Sequence, residues 1–359
     1  MRYDWEKDRW NDFLNRTEGK DIVIWGAGQT AFDVIPILEQ KKRILAVVDS
    51  DPVKIGKSFC GYQITNPDKV SNLLNDKDLT VLICSMYLTD IANKLDSMGI
   101  SDYYSGFFML RRDLENEKMR ELPSDDELRR LKSILSDKES ERIVDYILEK
   151  RKKGIIDYSD LISRPEYLRD DLFTFTDDEI YVDAGAYDGD TIMQFIKKVR
   201  CFRKIVAFEA NNSNYQRMLM NLGLADAVYG GEKLQLFHAA VGECEGVISI
   251  TTNGNESATA VLDDRGNLAR EEVRCVALDD LVDKATYIKM DIEGYEAEAI
   301  RGAEKLIKNN RPKMAVCIYH RPRDLWELPI MISELVPDYK LYIRHHGNIY
   351  YDTVLYATV

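Results

Sequence analysis

Short apolar runs alternating with amphipathic stretches organise most of this chain. IVIW (22–25) is a continuous apolar run closed by Gly26-Ala27-Gly28, and a helical period follows from Gln29 to Gln40. ILAVVD (44–49), a glycine-punctuated stretch to Ile64, TVLICS (80–85) and a helical period near 88–98 continue the series. Strands alternating with helices predict a parallel sheet with helices on both faces. Ahead of this unit, residues 1–19 read as a short polar helix with Trp5, Trp10 and Phe13 available to dock.

Residues 111–170 break the alternation. They are highly charged, with apolar positions at helical spacing: Leu128, Leu131 and Leu135, then Ile143, Ile147 and Leu148. Ser124 followed by Glu127 fits a capping box at one helix start. A second alternating series begins at EIYVD (179–183). A helix over 189–199, KIVAFEA (204–210), a helix over 212–222, LQLFHAAV (234–241), VISIT (247–251) and VRCVAL (273–278) follow. TYIKMD (286–291), a helix from about Tyr295 and KMAVCIYH (313–320) complete it. The end differs: after a helix near 324–335, KLYIRHH (340–346) and YDTVLYAT (351–358) flank a short Gly-Asn turn. Strands joined by a tight turn are antiparallel. The expected fold is therefore α/β, with two Rossmann-like domains, the second closing in an antiparallel hairpin. The expected boundaries are an N-terminal helix (1–19), a small Rossmann-like domain (20–110), a helical connector (111–170) and a second domain (171–359).

Charge and cysteine content narrow the setting. Lys plus Arg number 49 against 62 Asp plus Glu, a net charge of −13, which repels phosphate backbones and anionic lipid. The densest basic run, Lys150 to Lys153, ends a helical pattern, where cations complement the helix dipole. No nucleic-acid partner is expected. The six cysteines form no CxxC or Cys/His cluster, which excludes a disulfide framework or a zinc site of the usual spacing. The first residues, MRYDWEKDRW, are too charged for a signal peptide, and no 18-residue apolar run exists. A cytoplasmic protein without a transmembrane segment is expected; its sequence is compatible with a homo-oligomer.

The chemistry concentrates in three segments. In YVDAGAYDGDT (181–191) a strand delivers Asp183, Gly185 permits a tight turn, and Asp188-Gly189-Asp190-Thr191 opens a helix. A dinucleotide enzyme binds pyrophosphate at such a loop. Here Asp183, Asp188 and Asp190 would repel it, and would suit a ligand bearing a sulfonium, an ammonium and ribose hydroxyls, as S-adenosylmethionine does. One strand later, Glu209 ends AFEA, placed to take both ribose hydroxyls. The third segment, KMDIEGYEAEAIRGA (289–303), ends a strand at Asp291, and Glu293-Gly294 turns into a helix. Asp291 is expected to point into the same crevice.

From about Leu131 onward the sequence resembles the FkbM-type methyltransferases, over roughly 230 of the 359 residues. VDAGAYDGDT, AFEAN, AAVG, KMDIEGYEAEAIRGA and the LYIRHHG…YDTVLYAT ending carry the resemblance. ILSDKESERIVDYILEKRKKG resembles the helical segment that often precedes that domain. The resemblance implies a class I methyltransferase fold, S-adenosylmethionine as cofactor, and O-methylation of hydroxyls, commonly on sugars or polyketides. It implies that Asp183, Gly185, Tyr187, Asp188, Gly189 and Thr191 form the cofactor loop, that Glu209 binds ribose, and that Ala240 lies near adenine. It places Asp291 and Glu293 at the methyl-transfer point. Tyr187 stands where the wider class carries a middle glycine.

The proton of an acceptor hydroxyl needs a base. Candidates are Asp291, Glu293, His320, His345 and His346. His320 ends the strand MAVCIYH, and a neutral imidazole there suits pH 7. His345 and His346 are adjacent on a strand and face opposite sides. Asp291 and Glu293 are also candidate ligands for Mg²⁺ chelating a sugar diol. Ser257 lies in a loop where it reads equally as a ligand contact or an ordinary polar residue. In the first domain, GAGQTAF (26–32) with Asp49 resembles a dinucleotide fingerprint. VVDSDPVKIGKSFCGYQI (47–64) resembles small Rossmann-like domains of sugar-modifying transferases. The leading expectation is O-methylation of a nucleotide sugar or surface-glycan precursor. The rivals are an NAD-dependent oxidoreductase using the first domain and a non-catalytic scaffold in glycan assembly.

Overall fold

The computed structural model describes residues 10–68, 78–85, 87–106, 121–153, 158–252, 258–259 and 269–359; Trp5 and Ser257 lie outside them. The chain divides into two units, one of residues 1–120 and 150–160, the other of residues 121–149 and 161–359.

In the first unit, α1 (Trp10–Arg16) precedes β1 (Asp21–Trp25), α2 (Gln29–Leu38) and β2 (Ile44–Val48). Then come β3 (Ser58–Phe59), β4 (Tyr62–Thr65), β5 (Leu79–Ile83), α3 (Leu88–Ser97) and β6 (Tyr103–Ser105). The sheet order is β3-β4-β2-β1-β5-β6, parallel except for the β3–β4 pair. The glycine-punctuated stretch to Ile64 therefore contains a small hairpin. Burial explains the unbroken apolar run of β1, where Ile22, Val23 and Ile24 are all fully buried. Phe13 of α1 is fully buried in the same core cluster as Ile22, Val34 and Leu38, with its ring 5.3 Å from that of Tyr104.

The second unit opens with α4 (Asp125–Ile134), whose capping box is present: Glu127 N–H donates to Ser124 Oγ, and Ser124 N–H donates to Glu127 Oε2. Helix α5 (Lys138–Lys153) follows and ends in the basic run. The segment expected to be a connector is part of this unit over residues 121–149 and 161–170. Its serines pair with the backbone of a sheet edge: Leu341 N–H donates to Ser136 Oγ at 2.9 Å, and Ile343 N–H to Ser140 Oγ at 2.8 Å. Those bonds cover donors that an edge strand would otherwise present.

The central sheet contains β7 (Ile180–Ala184), β8 (Lys204–Glu209) and β9 (Leu234–His238), with α6 (Asp190–Val199) and α7 (Asn212–Lys233) between them. Two strands of a smaller sheet, β10 (Ala240–Val241) and β11 (Gly246–Thr252), come next, then β12 (Ala258–Thr259) and β13 (Ala269–Val276). After α8 (Leu278–Leu281) the chain returns to the central sheet with β14 (Tyr287–Met290), α9 (Glu296–Arg301), α10 (Glu304–Asn310) and β15 (Lys313–Cys317). It closes with α11 (Asp324–Leu335), β16 (Lys340–His345) and β17 (Thr353–Thr358). The central order is β16-β17-β15-β14-β7-β8-β9, parallel except at β17. This is a Rossmann-like methyltransferase fold, closed by the expected antiparallel hairpin.

Three expectations are corrected. VISIT and VRCVAL do not extend the parallel series; β11 and β13 pair antiparallel in a separate sheet of order β10-β13-β11-β12. LQLFHAAV splits after His238, because β9 pairs with β8 while β10 crosses to β13. Helix α7 also runs past residue 222: Gly223 is accommodated inside it, and the kink comes at Gly230, at φ 69°.

The central core is aromatic. Tyr181 of β7 stacks on Tyr287 of β14 at 4.9 Å between ring centroids, and Phe195 of α6 lies 4.7 Å from Tyr181. Rings of this size bury large area at low entropic cost and hold β7 and β14 together beneath the loops at their carboxyl ends.

Candidate functional site

Strands β14, β7 and β8 are neighbours, so the loops after Met290, Ala184 and Glu209 meet at one edge. The contact is intimate. A Cβ built on Gly185 would stand 1.8 Å from the carbonyl oxygen of Asp291, and Gly185 adopts φ 83°. Only glycine meets both demands. Tyr187 (φ 51°) and Gly189 (φ 84°) are also left-handed, which curls the loop before α6.

Asp183 lies beneath this loop. It is fully buried; Tyr181 Oη donates to its Oδ2 at 2.6 Å and Lys289 Nζ to its Oδ1 at 3.0 Å. Lys289 also donates to the carbonyl of Gly185 at 2.7 Å. Burial would lower the Lys289 pKa, but Asp183 and Asp291 outweigh it and hold the ammonium charged. Asp183 thus anchors the loop from below, a correction to the expectation that it lines the crevice. Asp190 is the first residue of α6 and its Oδ1 accepts from Thr191 N–H and Oγ1; Thr191 is buried. The backbone carbonyl of Asp188 accepts from Asn221 at 2.9 Å. The carboxylates of Asp183 and Asp190 are thus differently employed.

Glu209 stands where β8 ends. Its Oε2 accepts from Tyr187 N–H and its Oε1 from Asn211 N–H, both at 2.8 Å. Burial raises its pKa despite those two donors. The backbone bonds fix the carboxylate between the two loops. Ala240 is buried on β10, opposite Cys275.

Beside Asp291 the groups are denser. Tyr167 Oη donates to Asp291 Oδ2 at 3.0 Å and Tyr319 Oη to Oδ1 at 3.2 Å. Burial pushes the Asp291 carboxyl up, but Lys289, His320 and the Tyr167 hydroxyl prevail and hold it below its ordinary value. His320 is surrounded by carboxylates. Its Nε2 lies 3.5 Å from Asp291 Oδ1 and 3.5 Å from Glu293 Oε2, and its Nδ1 lies 2.9 Å from Glu296 Oε1. Burial favours the neutral ring, yet Glu296, Asp291 and Glu293 overcome it and raise the pKa to about 10. The expectation of a neutral imidazole base at pH 7 is therefore corrected. Burial lifts the Glu293 carboxyl to about 7, and this residue holds a left-handed backbone at φ 56°. Such strain in a non-glycine residue is common where a side chain is aimed for function.

The sequence reading placed Asp291 and Glu293 together as metal ligands. Among the described residues the donors that converge are one atom each from Asp291, Glu296 and His320, all within 4.8 Å of one another. His345 and His346 are not among these converging donors and are fully buried. His345 Nδ1 contacts Thr353 Oγ1, and His346 bonds the Ser163 carbonyl and Tyr356 Oη. Sequence reasoning missed Tyr167, Tyr319, Lys289 and Glu296. Lys289 and Glu296 sit within KMDIEGYE, and Tyr319 precedes His320. Tyr167 comes from the stretch taken as connector, and no local pattern marks it.

In the first unit, the dinucleotide-like loop is closed on itself. Asp49 Oδ2 accepts from Ala27 N–H at 2.8 Å, Oδ1 accepts from Asp51 N–H at 2.9 Å, and Lys54 pairs with it at 3.3 Å. A Cβ on Gly26 would lie 2.8 Å from the Cys84 carbonyl, so this glycine serves packing between strand ends. None of the described helices is long and apolar enough to cross a membrane.

Residues 183–350 match the family described as Methyltransferase FkbM domain, and residues 18–104 match the family described as C2185-like, N-terminal. A comparison with curated proteins finds no match. Among solved structures, the methyltransferase FkbM from Methylobacillus flagellatus KT is 24% identical, with 94% of this chain and 90% of that chain covered and a TM-score of 0.61. That likeness shows the fold. An rRNA methylase from Streptococcus thermophilus is 15% identical over 51% of this chain and 86% of that chain, with a TM-score of 0.31. A UDP-D-quinovosamine 4-dehydrogenase from Vibrio fischeri is 21% identical over 27% of this chain and 85% of that chain, with a TM-score of 0.24. At such TM-scores neither of these two bears on activity.

Proposed function

We propose that this chain, whose residues 183–350 match the FkbM methyltransferase domain, moves a methyl group from S-adenosylmethionine to a hydroxyl of a sugar in the cytoplasm. The observation that carries the reading is Glu209, a buried carboxylate fixed at the end of β8 by the backbone N–H groups of Tyr187 and Asn211. A carboxylate held there suits paired ribose hydroxyls and repels a pyrophosphate. The cofactor, when bound, supplies an electrophilic methyl group on a positively charged sulfur. Tyr187, Asp188 and Gly189 would border it, with Ala240 on the adenine side.

The chain's own work is to align the acceptor and take its proton. Asp291 is held rigid by the hydroxyls of Tyr167 and Tyr319, which fixes the wall against which an acceptor lies. Glu293, about one-third exposed beside mostly buried His320, is the carboxylate of this cluster that a solvent-borne hydroxyl reaches. It accepts the proton as the new carbon–oxygen bond forms. Six free cysteines accord with a reducing compartment. The acceptor class is tested by incubating the protein with S-adenosylmethionine and a panel of free, lipid-linked and nucleotide sugars. A mass gain of one methylene on a sugar supports the reading; methylation of only non-sugar acceptors in a wider panel overturns the sugar assignment.

A further inference from the structure

We propose that Asp291, Glu296 and His320 form a binding site for one divalent transition-metal ion. The proposal deepens the methyl-transfer reading, on which it rests for the ion's use but not for its binding. Glu296 is 1% exposed on the first turn of α9. Its Oε1 accepts from Ile292 N–H at 3.0 Å, while its Oε2, also buried, makes no hydrogen bond among the described residues. The His320 side chain is 8% exposed, and neither ring nitrogen makes a hydrogen bond of good geometry there, although carboxylate oxygens lie 2.9 to 3.5 Å away. Buried polar groups left in this state are costly unless something binds them.

The donors converge, and a cation would draw them somewhat closer together. Ligands at about 2.0–2.2 Å from one tetrahedrally held ion stand about 3.3–3.6 Å from each other. One donor atom from each of the three residues already falls within 4.8 Å of the others. Two carboxylates and one imidazole form a mixed oxygen and nitrogen set. Oxygen-only sites favour magnesium and calcium, while an imidazole favours zinc, iron and their neighbours, with manganese accepting both donor types. The ion is therefore of the manganese-to-zinc kind, and not the magnesium expected on Asp291 and Glu293. It would also supply the positive charge that these crowded carboxylates otherwise draw from a protonated His320. Glu293, at the rim, stays with the acceptor, whose hydroxyl a neighbouring cation makes more acidic.

The test is a calorimetric titration of the full chain with Mn²⁺ and with Zn²⁺, beside His320→Ala and Glu296→Gln. Glutamine keeps an oxygen for Ile292 N–H and removes the ligating charge. Each protein is also titrated with S-adenosylhomocysteine, which reports a folded second unit and tests the methyl-transfer reading separately. The expected result is one ion per wild-type chain at micromolar affinity or tighter. Glu296→Gln should weaken it at least about 10-fold and His320→Ala about 100-fold, with S-adenosylhomocysteine binding kept in both. Failure of both ions to bind wild-type protein that binds S-adenosylhomocysteine overturns the metal site alone. Binding undiminished in both variants also overturns it.

Discussion

The carbonyl oxygen of Asp291 occupies the space where a side chain on Gly185 would begin, 1.8 Å from an ideal Cβ. Two motif loops just over a hundred residues apart in sequence are thereby locked backbone to backbone. Gly185→Ala adds a left-handed penalty to a clash with an atom that cannot rotate away. Chemical denaturation should show a loss of about 3 kcal/mol or more, and the variant should fail to bind S-adenosylhomocysteine.

Other glycines separate packing from flexibility. A Cβ on Gly302 would stand 2.0 Å from the carbonyl of Gly242, whereas Gly223, inside α7, has open space around it. Gly302→Ala should destabilise the protein, while Gly223→Ala should raise stability by about 0.5–1 kcal/mol through helix propensity and a less flexible unfolded chain. Urea midpoints for the two variants should move in opposite directions.

Lys289 is the cation under the loop. Replacing it by methionine leaves Asp183 buried with only Tyr181 as a side-chain partner, and should cost about 3–5 kcal/mol by denaturant titration. Lys289→Met combined with Asp183→Asn should recover part of that loss. A double variant no more stable than the single one would show that the pair is not the anchor.

His345 and His346 tie stability to pH. Burial first, then each one's neighbours, lowers their pKa values to about 3 and about 4, from 6.5 in an unfolded chain. The unfolded chain therefore binds more protons between those limits, so their contribution is full above pH 6.5 and is lost as pH falls toward 4. Between pH 7 and pH 5 the loss is about 2 kcal/mol per histidine. Raised carboxyls such as Glu293 act in the opposite direction, so the comparison is with His346→Gln. The variant's stability should fall less than the wild type's over that interval; an equal fall contradicts the assignment.

Hydrophobic periodicity made both alternating series and the closing hairpin legible, because strands buried on two faces read as unbroken apolar runs. It could not show that β11 and β13 leave the central sheet, since a strand's partner is fixed by tertiary pairing. Glu209 and Asp291 were readable from their places at strand ends. Asp183 was misread because the same position also suits a buried anchor, and its partner Lys289 lies about a hundred residues away. Tyr167 was invisible for the same reason: its hydroxyl reaches Asp291 across 124 positions of sequence. Glu296 was read as part of a motif helix, and only folding turns it toward His320.

The proposed function requires the crevice between Gly185, Glu209 and Asp291 to bind S-adenosylmethionine. Calorimetric titration with S-adenosylhomocysteine, beside Glu209→Ala and with NAD as comparison, tests it most directly. The account predicts micromolar binding of S-adenosylhomocysteine by the wild type, lost in Glu209→Ala, and no binding of NAD. Failure of the wild type to bind S-adenosylhomocysteine while it binds NAD would contradict the account and move the active site to the first unit.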